Sequence, residues 1–132
     1  MEAAIRRIGV IDTTLRDGEQ TPELAYTPAE KLQIARMLLG EVGVDRIEIA
    51  SARVSKGEAE SARRIIEWAA AKGKDDHVEI LGFCDGGLSS SWIRKVHGRT
   101  INLLTKGSEL HCRKQLRKTP EEHFKDVVKD VR

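Results

Sequence analysis

Aromatic residues, prolines and net charge are all scarce in this chain of 132 residues. Phe, Trp and Tyr together make up 4% of the sequence, which argues against binding nucleic acid by stacking on its bases. The net charge is only +2, so no excess of positive charge points to nucleic acid or an anionic membrane. We therefore expect a protein with neither of these partners.

Long apolar runs are also missing. No run approaches the roughly 20 residues of a membrane span, and residues 1–7 lack the apolar core of a signal peptide. The two cysteines, Cys84 and Cys112, have no metal-ligand spacing and fit a reducing compartment. We expect a cytoplasmic protein with residues 1–132 in one domain, since this length is typical of a single domain.

Apolar strands and amphipathic helices alternate along the sequence. Strands are predicted at 8–11, 46–50, 78–83 and 100–104. Helices are predicted after each strand, three of them behind capping-box sequences that begin at Thr27, Ser55 and Thr119. The first strand and its apolar run are expected to be buried. Such alternation implies a parallel sheet with right-handed crossovers.

Two architectures fit this alternation, an open doubly wound sheet and part of a (β/α)₈ barrel. No glycine-rich dinucleotide fingerprint follows the first strand, which weakens the open sheet. A whole barrel needs about 250 residues, and the last helix runs to Arg132 without a glycine or proline stop. We therefore expect an α/β chain of parallel repeats that forms the first four β-α units, the N-terminal half of a TIM barrel.

The nine residues DTTLRDGEQ at positions 12–20 are the most informative feature. Asp17 offers a hard oxygen ligand to a divalent cation, and the adjacent Arg16 can stabilise an oxyanion that forms beside that cation. On its own, the Arg-Asp-Gly triplet is more typical of a polar turn after a strand. The longer string decides between these interpretations, because it resembles the signature of the DRE-TIM metallolyases.

That family includes isopropylmalate, homocitrate and citramalate synthases and hydroxymethylglutaryl-CoA lyase. Residues 44–58, 80–86 and 102–108 also resemble segments of the citramalate and isopropylmalate synthase branch. The resemblance implies a TIM barrel that condenses acetyl-CoA with a 2-oxoacid in branched-chain amino-acid biosynthesis. It further implies a divalent metal (Zn, Mn or Mg), acetyl-CoA as co-substrate and a homodimer in a full-length parent.

The resemblance also assigns roles to individual residues. Asp17 would be a metal ligand, and Arg16 would contact the keto oxygen and stabilise the alkoxide. Glu48 would complete the Asp-Arg-Glu constellation and pair with Arg16, while Gln20 would lie near the substrate. Leu81 and Leu104 would line the pocket for the keto-acid side chain.

Two leucines in that pocket would leave a small apolar space, which suits the methyl group of pyruvate. Isopropylmalate synthase, which needs a larger pocket, stays the close alternative. Without the resemblance, both leucines would be interpreted as plain barrel core.

Several expected family features are missing, and this leaves a third interpretation open. The family's His-x-His metal motif does not occur, and the four histidines are best interpreted as surface or helix-flank residues. Segment 21–26 departs from the family pattern. Without the His-x-His motif, the chain on its own would be a catalytically inert half barrel with two exposed sheet edges.

Two other features are given structural interpretations. The basic run 111–118 is expected to be a solvated loop, and Cys84 is expected to be a buried thiol that is not a nucleophile.

Overall fold

A parallel four-stranded sheet organises the computed structural model, which describes residues 7–132. The signal-peptide expectation for residues 1–7 therefore lies almost wholly outside the described residues. The strands follow one another in sheet order and are β1 Ile11–Asp12, β2 Arg46–Ser51, β3 Val78–Phe83 and β4 Thr100–Leu104. All neighbouring strands are parallel. The expected α/β fold is confirmed and is consistent with part of a TIM barrel.

In the described part, three α-helices connect the strands and pack on one face of the sheet, and two more follow the last strand. They are α1 Pro28–Arg36, α2 Lys56–Ala71, α3 Leu88–Lys95, α4 Glu109–His111 and α5 Pro120–Val131. Wider π-helical turns continue α1 over Met37–Val42 and α4 over Cys112–Leu116. Short 3-10 turns lie at Gly18–Gln20 and Asp75–His77. No helix of the described part is long and apolar enough to cross a membrane.

The apolar core lies between the sheet and the first three helices. Alternate residues of β2 and β3 point into it, and helices α1, α2 and α3 supply the facing side chains; the buried members include Ile47, Ile49, Val78, Ile80, Ala35, Leu39, Ala62, Ile65, Ala69 and Ile93. Because side chains alternate along a strand, the remaining positions of β2 to β4 share the opposite face. That face corresponds to the interior of a barrel, and it carries charged and polar groups.

The first strand differs from its prediction. Only Ile11 and Asp12 pair with β2, and Ile8 and Val10 are 84% and 53% exposed. The physical reason is that β1 forms one edge of the described sheet. In addition, the Val10 N–H donates to the side chain of Asp45 (2.7 Å), so a carboxylate takes the place of a strand partner there.

Two C-terminal features also differ from their predictions. Most of the basic run 111–118 is helical rather than a loop, since it includes the end of α4 and the π-helical turn Cys112–Leu116. Ser108 caps this segment by accepting from the His111 N–H (3.2 Å). The apolar stripe expected on the last helix is only half packed, with Phe124 68% and Val131 71% exposed. Nothing else in residues 7–132 covers these two side chains.

Candidate active site

The DTTLRDGEQ loop leaves the carboxyl end of β1 as a tight turn. The carbonyl of Thr13 accepts hydrogen bonds from the N–H groups of Arg16, Asp17 and Gly18 (3.1, 2.8 and 3.1 Å). Leu15, only 1% exposed, anchors the loop in the core. Because Leu15 points inward, the following side chains are turned toward the polar face of the sheet. The loop is therefore a rigid support for Arg16.

Arg16 reaches β2 and forms the central ion pair of the site. Its Nε donates to Oε2 of Glu48 (2.5 Å), and the side chain of Glu48 is fully buried. The other carboxylate oxygen, Oε1, accepts from Nδ2 of Asn102 on β4 (2.7 Å). With both oxygens engaged, the carboxylate has one orientation, and it holds the guanidinium in turn. Asn102 was missed as a site residue by the sequence analysis.

Asp17 sits beside this pair and faces solvent. Its Oδ1 accepts from Nη1 of Arg16 (2.8 Å), and its side chain is 61% exposed. Its Oδ2 receives no hydrogen bond from any group in residues 7–132, so it fits one position in the oxygen shell of a divalent cation. Within that same range, no three His, Cys, Asp or Glu side chains are grouped to hold a metal. Within the described residues, Asp17 is therefore a candidate for one ligand, and its role as a metal ligand stays a prediction.

Gln20 shares a small cavity with Arg16. The cavity has a volume of about 120 Å³, and its lining residues are Arg16, Glu19, Gln20, Ser51, Val54 and Glu58. It lies between the loop after β1 and the loop after β2. The structure therefore brings Gln20 to the same opening as Arg16, while its contact with a substrate stays a prediction.

Leu81 and Leu104 lie on the same face of the sheet as Glu48. The strand register sets Glu48 opposite Glu79, Leu81 opposite Asn102 and Phe83 opposite Leu104, and alternation then puts all of these on one face. Leu81 is 9% exposed and Leu104 is 42% exposed. The placement is compatible with a substrate pocket, and the role of the two leucines stays a prediction.

The remaining candidate groups are structural. Cys84 is partly rather than fully buried, and burial, helped by the nearby Asp130 and Asp126 carboxylates, raises the pKa of its thiol. A raised thiol pKa disfavours a nucleophile. His123 corrects the expectation of surface histidines, because it is 6% exposed and its Nε2 accepts from the Lys106 N–H (3.0 Å).

The parallel β-α repeats bring Arg16 and Asp17, which follow β1, next to Glu48 of β2, on the face of the sheet that would form the interior of a barrel. Active sites of (β/α)₈ barrels lie at the carboxyl ends of the strands. The HMGL-like family model matches residues 7–132, and the chain belongs to this family of DRE-TIM metallolyases.

Relatives of three synthase types match the chain. A 2-isopropylmalate synthase of Syntrophus aciditrophicus is 35% identical over 99% of this chain and 25% of its own length. The (R)-citramalate synthase of Methanocaldococcus jannaschii is 37% identical over 94% and 24%, and a homocitrate synthase of Methanopyrus kandleri is 39% identical over 92% and 29%. The chain therefore spans only 24–29% of the length of these curated relatives.

Proposed function

We propose that residues 1–132 supply the N-terminal half of a TIM-barrel active site that condenses acetyl-CoA with a 2-oxoacid, most simply pyruvate to (R)-citramalate. The observation that carries the proposal is the buried Arg16–Glu48 pair beside the exposed carboxylate of Asp17. The relatives' names support a condensing synthase, and their greater length supports a longer barrel. By the same family argument, the parent would be a cytoplasmic homodimer.

The reaction forms a carbon–carbon bond and leaves a negative charge on oxygen. A proton leaves the methyl group of acetyl-CoA, the resulting carbanion equivalent attacks the keto carbon, and the keto oxygen becomes an alkoxide that is then protonated. Hydrolysis of the thioester by water releases the CoA thiol. The catalytic task for this half of the barrel is to bind the keto acid and stabilise the alkoxide.

Arg16 is suited to that task. A guanidinium has five N–H donors, and Arg16 uses Nε and Nη1 on the two carboxylates. The remaining N–H groups can bond the developing alkoxide, and because Glu48 fixes the guanidinium, little reorganisation is needed. Asp17 would be one ligand of a divalent metal, which would supply Lewis-acid polarisation of the keto carbonyl. Gln20 would contact the bound acid from the same cavity.

The choice of pyruvate depends on Leu81 and Leu104. Two leucines on the face of Glu48 would restrict the space beside the keto carbon and favour a methyl group. They would also disfavour a second carboxylate, which would lose its hydration without gaining a partner. A 2-isopropylmalate synthase is the second candidate, because a relative of that name aligns with nearly the whole chain.

A chimera tests the proposal. Residues 7–132 would replace the matching part of the Methanocaldococcus synthase, and thiol release from acetyl-CoA would be measured with pyruvate and with 2-oxoisovalerate. We expect turnover with pyruvate that falls more than about tenfold in Asp17→Ala. Arg16→Lys should be equally severe because an ammonium cannot reproduce the planar fork.

Arg64→Lys is the matched control, since Arg64 forms an exposed pair with Glu60 on α2. A folded chimera in which Arg16→Lys kept normal turnover would refute the role of Arg16. Preference for 2-oxoisovalerate in the unmutated chimera would move the assignment to isopropylmalate synthase.

A further inference from the structure

A lysine is fully buried next to the candidate site. Lys31 of α1 has a side chain that is 1% exposed and forms ion pairs with Glu19 and Glu58. Its Nζ donates to Oε1 of Glu58 at 2.5 Å. Lysine is almost never fully buried unless it is paired, and here one ammonium joins a carboxylate of the 3-10 turn Gly18–Gln20 to a carboxylate in the first turn of α2. We call these three residues the lysine clamp.

Glu58 gives up a local hydrogen bond to join the clamp. At the equivalent positions of α1 and α5, the carboxylates of Glu30 and Glu122 accept hydrogen bonds from the backbone N–H groups of their N-cap residues (2.7 and 2.8 Å). Behind Ser55, only half of this capping box forms: the Ser55 hydroxyl accepts from the Glu58 N–H (3.1 Å). The carboxylate of Glu58 turns to Lys31 instead, so a tertiary interaction overrides the local one.

Glu19 ties the other side of the clamp to the loop that carries Arg16. Its Oε2 forms the ion pair with Nζ of Lys31, and its Oε1 accepts a hydrogen bond from the Tyr26 N–H (3.0 Å). Glu19 thus closes the segment that leads from the 3-10 turn to α1. Glu19 and Glu58 also line the cavity that Arg16 and Gln20 share. The clamp therefore forms one wall of the candidate site.

We propose that Lys31 is a positioning residue, which holds the loop of residues 12–20 against the first turn of α2 and so sets the place of Arg16 and Gln20. Its consequence for catalysis rests on the proposed function, whereas its effect on the loop does not. Removing the ammonium leaves two carboxylates facing each other. Both are about one-fifth exposed, so they can separate toward water and carry the loop with them.

Hydrogen exchange on the chain itself tests this placement. In Lys31→Met, amides of the loop that donate to the Thr13 carbonyl should exchange at least about tenfold faster, while amides of β3 stay within about twofold. The Arg16 Nε–H resonance should broaden or shift as its bond to Glu48 loosens. Lys31→Arg should restore both signals, and Arg64→Met, which breaks an exposed pair on α2, should change neither.

Two results would overturn the proposal. One is a loop that exchanges as in the parent chain after Lys31→Met. The other is uniform acceleration of loop and β3 amides, which indicates a purely global contribution to stability. If Lys31→Met does not fold, Glu58→Gln should accelerate the same loop amides to a smaller extent, and an unchanged loop in that variant also overturns the proposal.

Activity separates this inference from the proposed function. In an active chimera, Lys31→Met should lower kcat/KM for the 2-oxoacid by about tenfold or more. The circular dichroism spectrum of this variant should match that of the unmutated chimera, which shows that the variant is folded. A loop that moves in Lys31→Met, in a chimera with no synthase activity, would support the positioning role and refute the proposed function. A loosened loop with unchanged kcat/KM would overturn the catalytic part of the inference.

Discussion

Removal of Arg16 should be costly because of what it leaves behind. The Glu48 side chain is fully buried and receives two hydrogen bonds, from Arg16 Nε and Asn102 Nδ2. Arg16→Met keeps an unbranched side chain but removes the only cation that contacts that carboxylate within residues 7–132. Asn102 alone then faces a buried negative charge, and an amide compensates such a charge far less well than a guanidinium.

The size of the effect follows from the burial of each partner. Breaking a buried ion pair on one side typically costs about 3–5 kcal/mol. Since the Arg16 side chain is 19% exposed, water can reach part of the site, and we expect the lower end, about 3 kcal/mol. Replacement of both partners by apolar residues is often neutral or stabilising. The double variant Arg16→Met with Glu48→Leu should therefore be more stable than Arg16→Met alone, by about 3 kcal/mol if the double replacement is neutral.

Urea unfolding followed by the fluorescence of Trp68 and Trp92 measures these differences, with an unchanged m-value as the check that unfolding stays comparable. Arg64→Met is the control, since an exposed pair contributes about 0–1 kcal/mol. The reasoning fails if Arg16→Met unfolds at the urea concentration of the parent chain. It also fails if the double variant is less stable than the single one, because the buried charge would then not be the source of the cost.

Three further predictions follow from other parts of the chain. The chain alone should not release thiol from acetyl-CoA with pyruvate, because its described residues offer one candidate metal ligand; release above background that Asp17→Ala abolishes would contradict this. In the active chimera, Leu81→Ala should shift the ratio of 2-oxoisovalerate to pyruvate turnover by about 10–200-fold, and an unchanged ratio would place Leu81 in the barrel core. The Val10 N–H, and with it Arg7, holds the pKa of Asp45 below its usual 3.8. The ionised Asp45 carboxylate should therefore contribute its full stabilisation above the unfolded pKa, and this contribution should be lost as the pH falls through the lower folded pKa. Asp45→Asn should reduce this loss of stability at acid pH, as measured by urea unfolding at a series of pH values.

The second, third and fourth strands could be predicted from sequence almost to the residue. The predictions 46–50, 78–83 and 100–104 correspond to Arg46–Ser51, Val78–Phe83 and Thr100–Leu104. The β2 and β3 runs are apolar on the core face, and capping boxes mark two of the following helices. The first strand could not be bounded in this way, because its length depends on the Asp45 side chain, 35 positions away from Val10.

The same limit applies to the candidate site. The family resemblance implied that Arg16 pairs with Glu48, and the two side chains are in contact in the structure, while their catalytic roles stay predictions. Asn102 and Lys31 were not identified, since their partners lie 54 and 27 positions away. Neither residue has a local signal that distinguishes it from an ordinary strand amide or a surface lysine. Only the register of β4 and the burial of α1 reveal what they contact.

Departures from local rules concentrate around the candidate site, which is an argument for its function that does not depend on resemblance. The β2–β3 register shifts between Glu48 and Ser51, directly after the carboxylate that holds Arg16. Arg53, two residues beyond the shift, adopts a left-handed conformation with φ of +68°, unfavourable for a side chain with a Cβ. Glu23, His97 and Arg117 share that conformation. Glu23 lies in a turn in which the Leu24 N–H donates to the Thr21 carbonyl (3.2 Å), and the other two residues follow helical segments, where the conformation is common. No helix end explains Arg53, and strain that local structure does not explain is typical of functional loops.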